Sequence, residues 1–224
     1  MSAGKGNTSV NESAGIARQE VRARRENGKG GVKDRIVDVA WRLFHEKGYQ
    51  ETTIEDILSA SCTSRGTFYR YFNSKDSLLS SLSTLFDDNY RQLMQKMDPE
   101  TDSVDKLISL CCDCHRMISE RIHPDLLASL YSSQVIPRGD KHLLDKNRYY
   151  YRITQQIVDE GQKRGQIIDS ISSYDLAHYY IMCERAIIYD YCISSDEYDL
   201  VEYTDRTIPL LLAGIRTSGG KSSR

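Results

Sequence analysis

The sequence predicts an all-α protein of about nine helices, and three observations carry that prediction. From Lys33 onward, apolar residues recur at spacings of three, four and seven. No segment alternates between apolar and polar residues at period two with turn signals around it. Helix-stopping signals fall at Asp98-Pro99, His123-Pro124 and Gly165. A chain of 224 residues can bury a substantial core in one domain or two closely fused ones.

Residues 1–32 hold glycines and almost no large apolar groups, which predicts a mobile arm. Its Arg18, Arg22, Arg24 and Arg25 suit either an inert solvated tail or a basic arm reaching into a minor groove. The first helical stripe is Ile36, Ala40, Leu43 and Phe44. The second is short, with Ile54, Ile57 and Leu58 facing inward, and breaks at Ser61-Cys62-Thr63. Ser64 then has the chemistry of an N-cap, because its hydroxyl can accept a bond from an orphan backbone N–H. The third helix, Arg65 to Phe72, is equally short; Phe68 and Phe72 lie four apart and face inward. Two short helices joined by such a turn form a helix-turn-helix, whose second helix can enter a DNA major groove.

A long fourth helix carries Leu78, Leu82, Leu85, Phe86, Leu93 and Met97. Val104 to Ile122 gives a fifth and Asp125 to Val135 a sixth. Leu143, Tyr150, Ile153 and Ile157 are expected along one seventh helix that closes at Gly165. The eighth, about Ser173–Cys192, is apolar nearly all round and must bury two faces; one can pack on its own domain and the other on a second subunit. The ninth, Tyr198–Ile215, has Val201, Ile208, Leu211, Leu212 and Ile215 in register, with Pro209 expected to kink it. The expected domains are an arm at 1–32, a helix-turn-helix domain at 33–77, a larger helical domain at 78–216 and a frayed tail at 217–224.

The net charge of −2 does not by itself suggest a nucleic-acid partner. Its distribution is more informative: residues 1–76 hold 13 Lys+Arg against 10 Asp+Glu, and the remainder 17 against 22. A mildly basic end on an acidic body suits one DNA-facing surface, or is ordinary surface charge. No apolar run reaches the roughly 18 residues of a membrane helix, and no signal peptide is visible. Six scattered cysteines without an export signal point to reduced thiols and a cytoplasmic, prokaryotic setting. Phosphate loops, nucleophile elbows and zinc-protease helices are missing from the sequence, so neither catalytic residues nor a cofactor are expected.

Two constellations could bind something other than DNA. Cys111-Cys112-Asp113-Cys114-His115 places Cys111 and His115 on one helical face. That pair could seed a soft-metal or thiol-sensing site, line a pocket, or pack as core. A complete zinc set would need Cys183 or His178 from another helix, so no metal ligands are assigned. The fifteen tyrosines, several of them C-terminal, suit either a pocket for an aromatic or weakly polar molecule or a core with hydroxyls at its rim. Cys111, His115, Tyr150, Tyr180 and Cys183 are the expected pocket-lining residues.

The stretch Thr53–Asp76 resembles the DNA-binding domain of the TetR family, the tetracycline-repressor-like regulators. The resemblance is carried by Ile36 to Phe44 with Lys47-Gly48-Tyr49, by Thr52-Thr53-Ile54 and Ile57, and by Ser64-Arg65-Gly66. Phe68-Tyr69, Phe72 and Lys75 to Leu79 extend it. It departs at Cys62-Thr63, where the family usually has Gly-Val, and at Leu58, where it has alanine. If position 62 needs a left-handed backbone, cysteine there costs about 1–2 kcal/mol relative to glycine. The resemblance implies DNA contacts from Thr53, Ser64, Arg65, Gly66, Thr67, Tyr69, Tyr71 and Lys75. Thr53, Tyr69 and Lys75 would meet phosphates, and Arg65, Thr67 and Tyr71 would lie nearer base edges. It also implies a homodimer on the last two helices, an inverted-repeat operator in double-stranded DNA, and release of that operator by a small-molecule effector. A co-regulator of other proteins and a thiol- or metal-responsive regulator are the alternative functions.

Overall fold

A computed structural model describes residues 31–135, 141–194 and 197–217. The arm from Met1 to Gly30, with its four arginines, and the tail beyond Thr217 lie outside the described residues. The described chain is built of α1 (Val32–Lys47), α2 (Ile54–Ser61), α3 (Arg65–Tyr71), α4 (Asp76–Lys96), α5 (Ser103–Arg121), α6 (Pro124–Val135), α7 (Tyr149–Lys163), α8 (Ser173–Ser194) and α9 (Leu200–Ala213). Among the described residues there is no β-strand. A single antiparallel bridge pairs Ile167 with Arg216. It forms because the segments leaving α7 and α9 lie side by side, with Ile168 N–H donating to Ile215 O (2.9 Å) and Thr217 N–H to Gln166 O (3.0 Å). Thr217, expected at the start of a frayed tail, is thereby held, and its hydroxyl also donates to Gly165 O.

Helix α1 packs on α2, α3 and α4. Ile36, Ala40, Leu43 and Phe44 are its buried face, and it meets Ile57 of α2 and Phe68 of α3 in one apolar cluster. Arg35 Nε donates to Ser61 O (3.1 Å), which ties the start of α1 to the end of α2. Trp41 Nε1 donates to Ser81 Oγ on α4 (2.8 Å), which ties it to the helix leading into the larger domain.

In the larger domain α5 lies centrally, against α9, α7 and α4, while α8 packs on α6, α7 and α9. Asp102 caps α5 by accepting from the N–H groups of Val104 and Asp105. Gly161 lets α7 approach the start of α5. A Cβ there would lie 2.6–2.8 Å from Ile167 and Ser103, closer than side chains tolerate.

Two expectations are corrected. Leu143 is not on the seventh helix but in a short 3₁₀ turn, His142–Leu144, and α7 begins only at Tyr149. Asp145 breaks the helix, because its side chain accepts from Asn147 N–H (2.9 Å) and its carbonyl accepts from Arg148 N–H. On α9 the expected Ile208, Leu212 and Ile215 are buried, but the row begins at Leu200 and Thr204, four residues apart, and not at Val201. Val201 and Leu211 are only half-buried beside it. Pro209 lies inside α9 on its exposed side.

Candidate DNA-binding surface and effector core

The α2–turn–α3 unit is fixed by local polar chemistry. Thr53 Oγ1 accepts from Asp56 N–H (3.1 Å) while Asp56 accepts from Thr53 N–H (3.0 Å), a reciprocal capping box. Helix α2 ends at Cys62 in the left-handed region (φ 51°, ψ 44°). Ser64 caps α3 by accepting from Thr67 N–H (3.1 Å), and its hydroxyl also lies 2.9 Å from that of Thr67. Phe68 is fully buried and Phe72 nearly so, with rings 5.6 Å apart, and together they anchor α3.

What α3 leaves outward is Arg65, Gly66, Tyr69, Arg70 and Tyr71. Arg65 pairs with Glu55 at the surface, where solvent makes such a pair weak and easily exchanged. Arg70 was not among the expected contacts. Its guanidinium lies over the Tyr71 ring at 4.7 Å and donates to the Tyr71 hydroxyl (2.6 Å), so the two side chains present one unit. The signal that could have found it is its position, four residues after Gly66 on the same face.

Lys75 is placed differently from a free phosphate contact. Its ammonium donates to the carbonyls of Tyr49 (2.8 Å), Gln50 (3.3 Å) and Thr52 (2.9 Å) and lies 4.4 Å from the centre of the Tyr49 ring. Partial burial lowers its pKa. The Tyr49 hydroxyl bonds Asp76, and burial followed by that carboxylate raises the phenol pKa. Lys75 therefore fastens the entry of α4 to the loop before α2.

The expected effector residues converge only in part. Cys111, His115 and Tyr180 are fully buried and Tyr150 nearly so, while Cys183 is half-buried near Tyr179, whose hydroxyl donates to Leu211 O (3.3 Å). Tyr180 donates to Leu107 O (2.8 Å). Tyr150 stacks on Tyr90 of α4, centroids 4.5 Å apart. The hydroxyls of Tyr150 and Thr154, one turn apart on α7, are buried without a hydrogen-bond partner. Sequence reasoning missed Glu184, which is buried on α8 and accepts from the Tyr90 hydroxyl (2.9 Å). Burial pushes its carboxyl up to about 7, and burial lowers His115 to about 3. A shallow cleft lies apart from these residues, between Lys146, Tyr151 and Arg152 on one side and Tyr174, Ala177 and His178 on the other.

Residues 36–82, which span all of α2 and α3 and most of α1, match the model of the bacterial regulatory proteins of the tetR family. These residues carry the DNA-binding domain of the tetR family. That domain makes the chain a DNA-binding regulator, the description that similar proteins carry. The HTH-type transcriptional regulator HbdR of Aromatoleum sp. (strain CIB) is 24% identical over 196 residues, 85% of this chain and 83% of HbdR. The HTH-type transcriptional repressor KstR2 of Rhodococcus jostii (strain RHA1) is 29% identical over 126 residues, 56% of this chain and 58% of KstR2. Among solved structures, the repressor FadR of Thermus thermophilus, in complex with lauroyl-CoA, superposes with a TM-score of 0.63. It is 22% identical, and the match covers 84% of this chain and 98% of that one. Among the described residues, no helix is long and apolar enough to cross a membrane.

Proposed function

We propose that this chain is a homodimeric repressor, acting in the cytoplasm, that leaves its operator when a small molecule enters the C-terminal core. The observation that carries the DNA reading is α3 itself, held by buried Phe68 while Arg65, Gly66, Tyr69 and Arg70 stand outward. Arg65 and Tyr71 are the side chains for base edges, with Thr67 beside them, and Tyr69 for phosphate. The Thr53 and Ser64 hydroxyls act first as caps and Lys75 as a clamp, so each reaches DNA only from a position already fixed by the fold. Arg70 joins this set.

The dimer reading is supported by a row on α8, Met182, Ala186, Tyr189 and Ile193, that is exposed on the single chain. The apolar members are 49–61% exposed, and Leu210 of α9 is 74% exposed. An apolar face of this extent on a surface marks an interaction site. Ile187, on the opposite side of α8, is buried within the protomer and does not belong to that face.

The effector reading is supported by the unpartnered hydroxyls of Tyr150, whose ring stacks on Tyr90, and of Thr154 one turn further along α7. Buried polar groups without partners carry a desolvation penalty that a bound molecule relieves. The fold relative that holds lauroyl-CoA makes an acyl-bearing effector the first class to try. Arg148 bonds Asp87 and Ser83 on α4, so motion at the start of α7 reaches the helix that enters from the DNA-binding unit. A ligand that prefers the DNA-incompetent arrangement by a few kcal/mol is sufficient for release.

A mobility-shift titration with the duplex upstream of the gene tests the reader. Arg65→Ala is expected to weaken specific binding by about 1–3 kcal/mol if its partner is a guanine, and to relax preference at one base pair. Equal losses on specific and random duplexes would remove Arg65 from the readers.

A further inference from the structure

We propose that Cys111, His115 and Glu184 form a binding site for a divalent cation of the zinc class. The third ligand that the Cys111–His115 pair lacks on its own helix is supplied by α8 as a carboxylate. The thiol sulfur, an imidazole nitrogen and a carboxylate oxygen all lie within 4.8 Å of one another, and all three residues are buried. Cys111 Sγ is 3.7 Å from His115 Nε2. A tetrahedral zinc ion with ordinary bond lengths holds neighbouring sulfur and nitrogen ligands about 3.6 Å apart. The same sulfur is 3.9 Å from Nδ1, so ligation through Nε2 requires the thiol and the imidazole to turn toward a shared ion and the Glu184 carboxylate to close in from within 4.8 Å.

The surroundings orient these atoms as ligands. Thr204 Oγ1 donates its only proton to Leu200 O (2.7 Å). Toward His115 Nδ1, 2.7 Å away, the same oxygen can therefore only accept. This places the imidazole proton on Nδ1 and leaves the Nε2 lone pair available to a metal ion. A hydrogen bond on the distal nitrogen is the usual means of fixing a metal-binding histidine. Tyr90 does the same for Glu184 by donating to Oε1. The thiol proton is released to solvent on binding. A set of one thiolate, one imidazole and one carboxylate suits zinc and disfavours magnesium or calcium, which take oxygen ligands. The site would join α5 to α8, with α9 and α4 supporting its ligands. The proposal concerns binding and does not rest on operator release.

The test uses the full-length protein, stripped with a chelator and titrated with cobalt(II) as a spectroscopic substitute, then with zinc. The expected result is one cobalt per chain, a thiolate-to-cobalt charge-transfer band, intense tetrahedral visible bands, and displacement of all of them by zinc. Cys111→Ser abolishes the charge-transfer band. Thr204→Val keeps all three ligands and is expected to weaken binding by about 10–100-fold. Cys62→Ser, at an exposed thiol, leaves the spectrum unchanged. Absence of the band in the unmodified protein overturns the site without reference to any variant. A band that survives Cys111→Ser, or that disappears with Cys62→Ser, overturns it as well. If Cys111→Ser does not fold, the unmodified spectrum and the Thr204→Val affinity decide.

Discussion

Asp56 accepts hydrogen bonds from the Thr53 backbone N–H, the Thr53 hydroxyl and Lys47 Nζ. The backbone bond, followed by that of Lys47, holds its carboxyl down at about 2. A carboxyl depressed on folding stabilises the fold above its unfolded pKa of 3.8, and the contribution is lost as pH falls through about 2. Asp56→Asn should therefore lower stability at neutral pH, and the gap to the unmodified protein should close between about pH 4 and pH 2. Urea unfolding of both proteins across that range measures it; a gap independent of pH would detach Asp56 from the cap. At this scale the sequence was legible where partners are near in the chain. Ser64 could be read as a cap because Thr67 is three residues on. The Lys75 clamp could not, since its three carbonyls lie 23–26 residues away. Glu184 escaped for the same reason: its donor is Tyr90 on α4, and a glutamate on an apolar helix carries no local mark of burial.

Among elements, the turn between α2 and α3 holds the one described non-glycine residue with positive φ. Cys62 takes up the left-handed backbone that the departure from glycine called into question, and a Cβ is disfavoured there by about 1–2 kcal/mol. Glycine returns part of that gain through its freer unfolded chain. Cys62→Gly should thus raise stability by about 1 kcal/mol, read as a higher denaturant midpoint at unchanged slope. A lower midpoint would mean that the side chain contributes more than its backbone costs. The order and approximate extent of the helices followed from apolar periodicity, because each buries a single stripe. The two misplacements occurred where that logic weakens. Leu143 kept the apolar spacing while the Asx turn at Asp145 had already broken the helix. On α9 the stripe includes Thr204, a polar residue satisfied by Leu200 O and His115, so hydrophobicity alone found Ile208, Leu212 and Ile215 but took Val201 and Leu211 in place of Leu200 and Thr204.

At the scale of the molecule, the apolarity of α8 on both faces resolves into a buried face and an exposed one. The exposed face, with Leu210, predicts that Tyr189→Glu combined with Leu210→Glu yields a folded monomer. Light scattering at micromolar concentration checks this, alongside an unchanged helical spectrum. A monomeric unmodified protein would contradict the dimer reading, as would a double variant that stays dimeric. Loss of the dimer should also cost operator affinity, since each subunit brings one α3 and two half-sites about one helical turn apart need both. The central claim is that these paired helices read sequence. Fluorescence anisotropy with the intact protein, on the duplex upstream of its gene and on a scrambled duplex of equal length at physiological salt, tests it most directly. Binding at least about 10³-fold tighter to the upstream duplex is expected. Equal affinity for the two duplexes would contradict it.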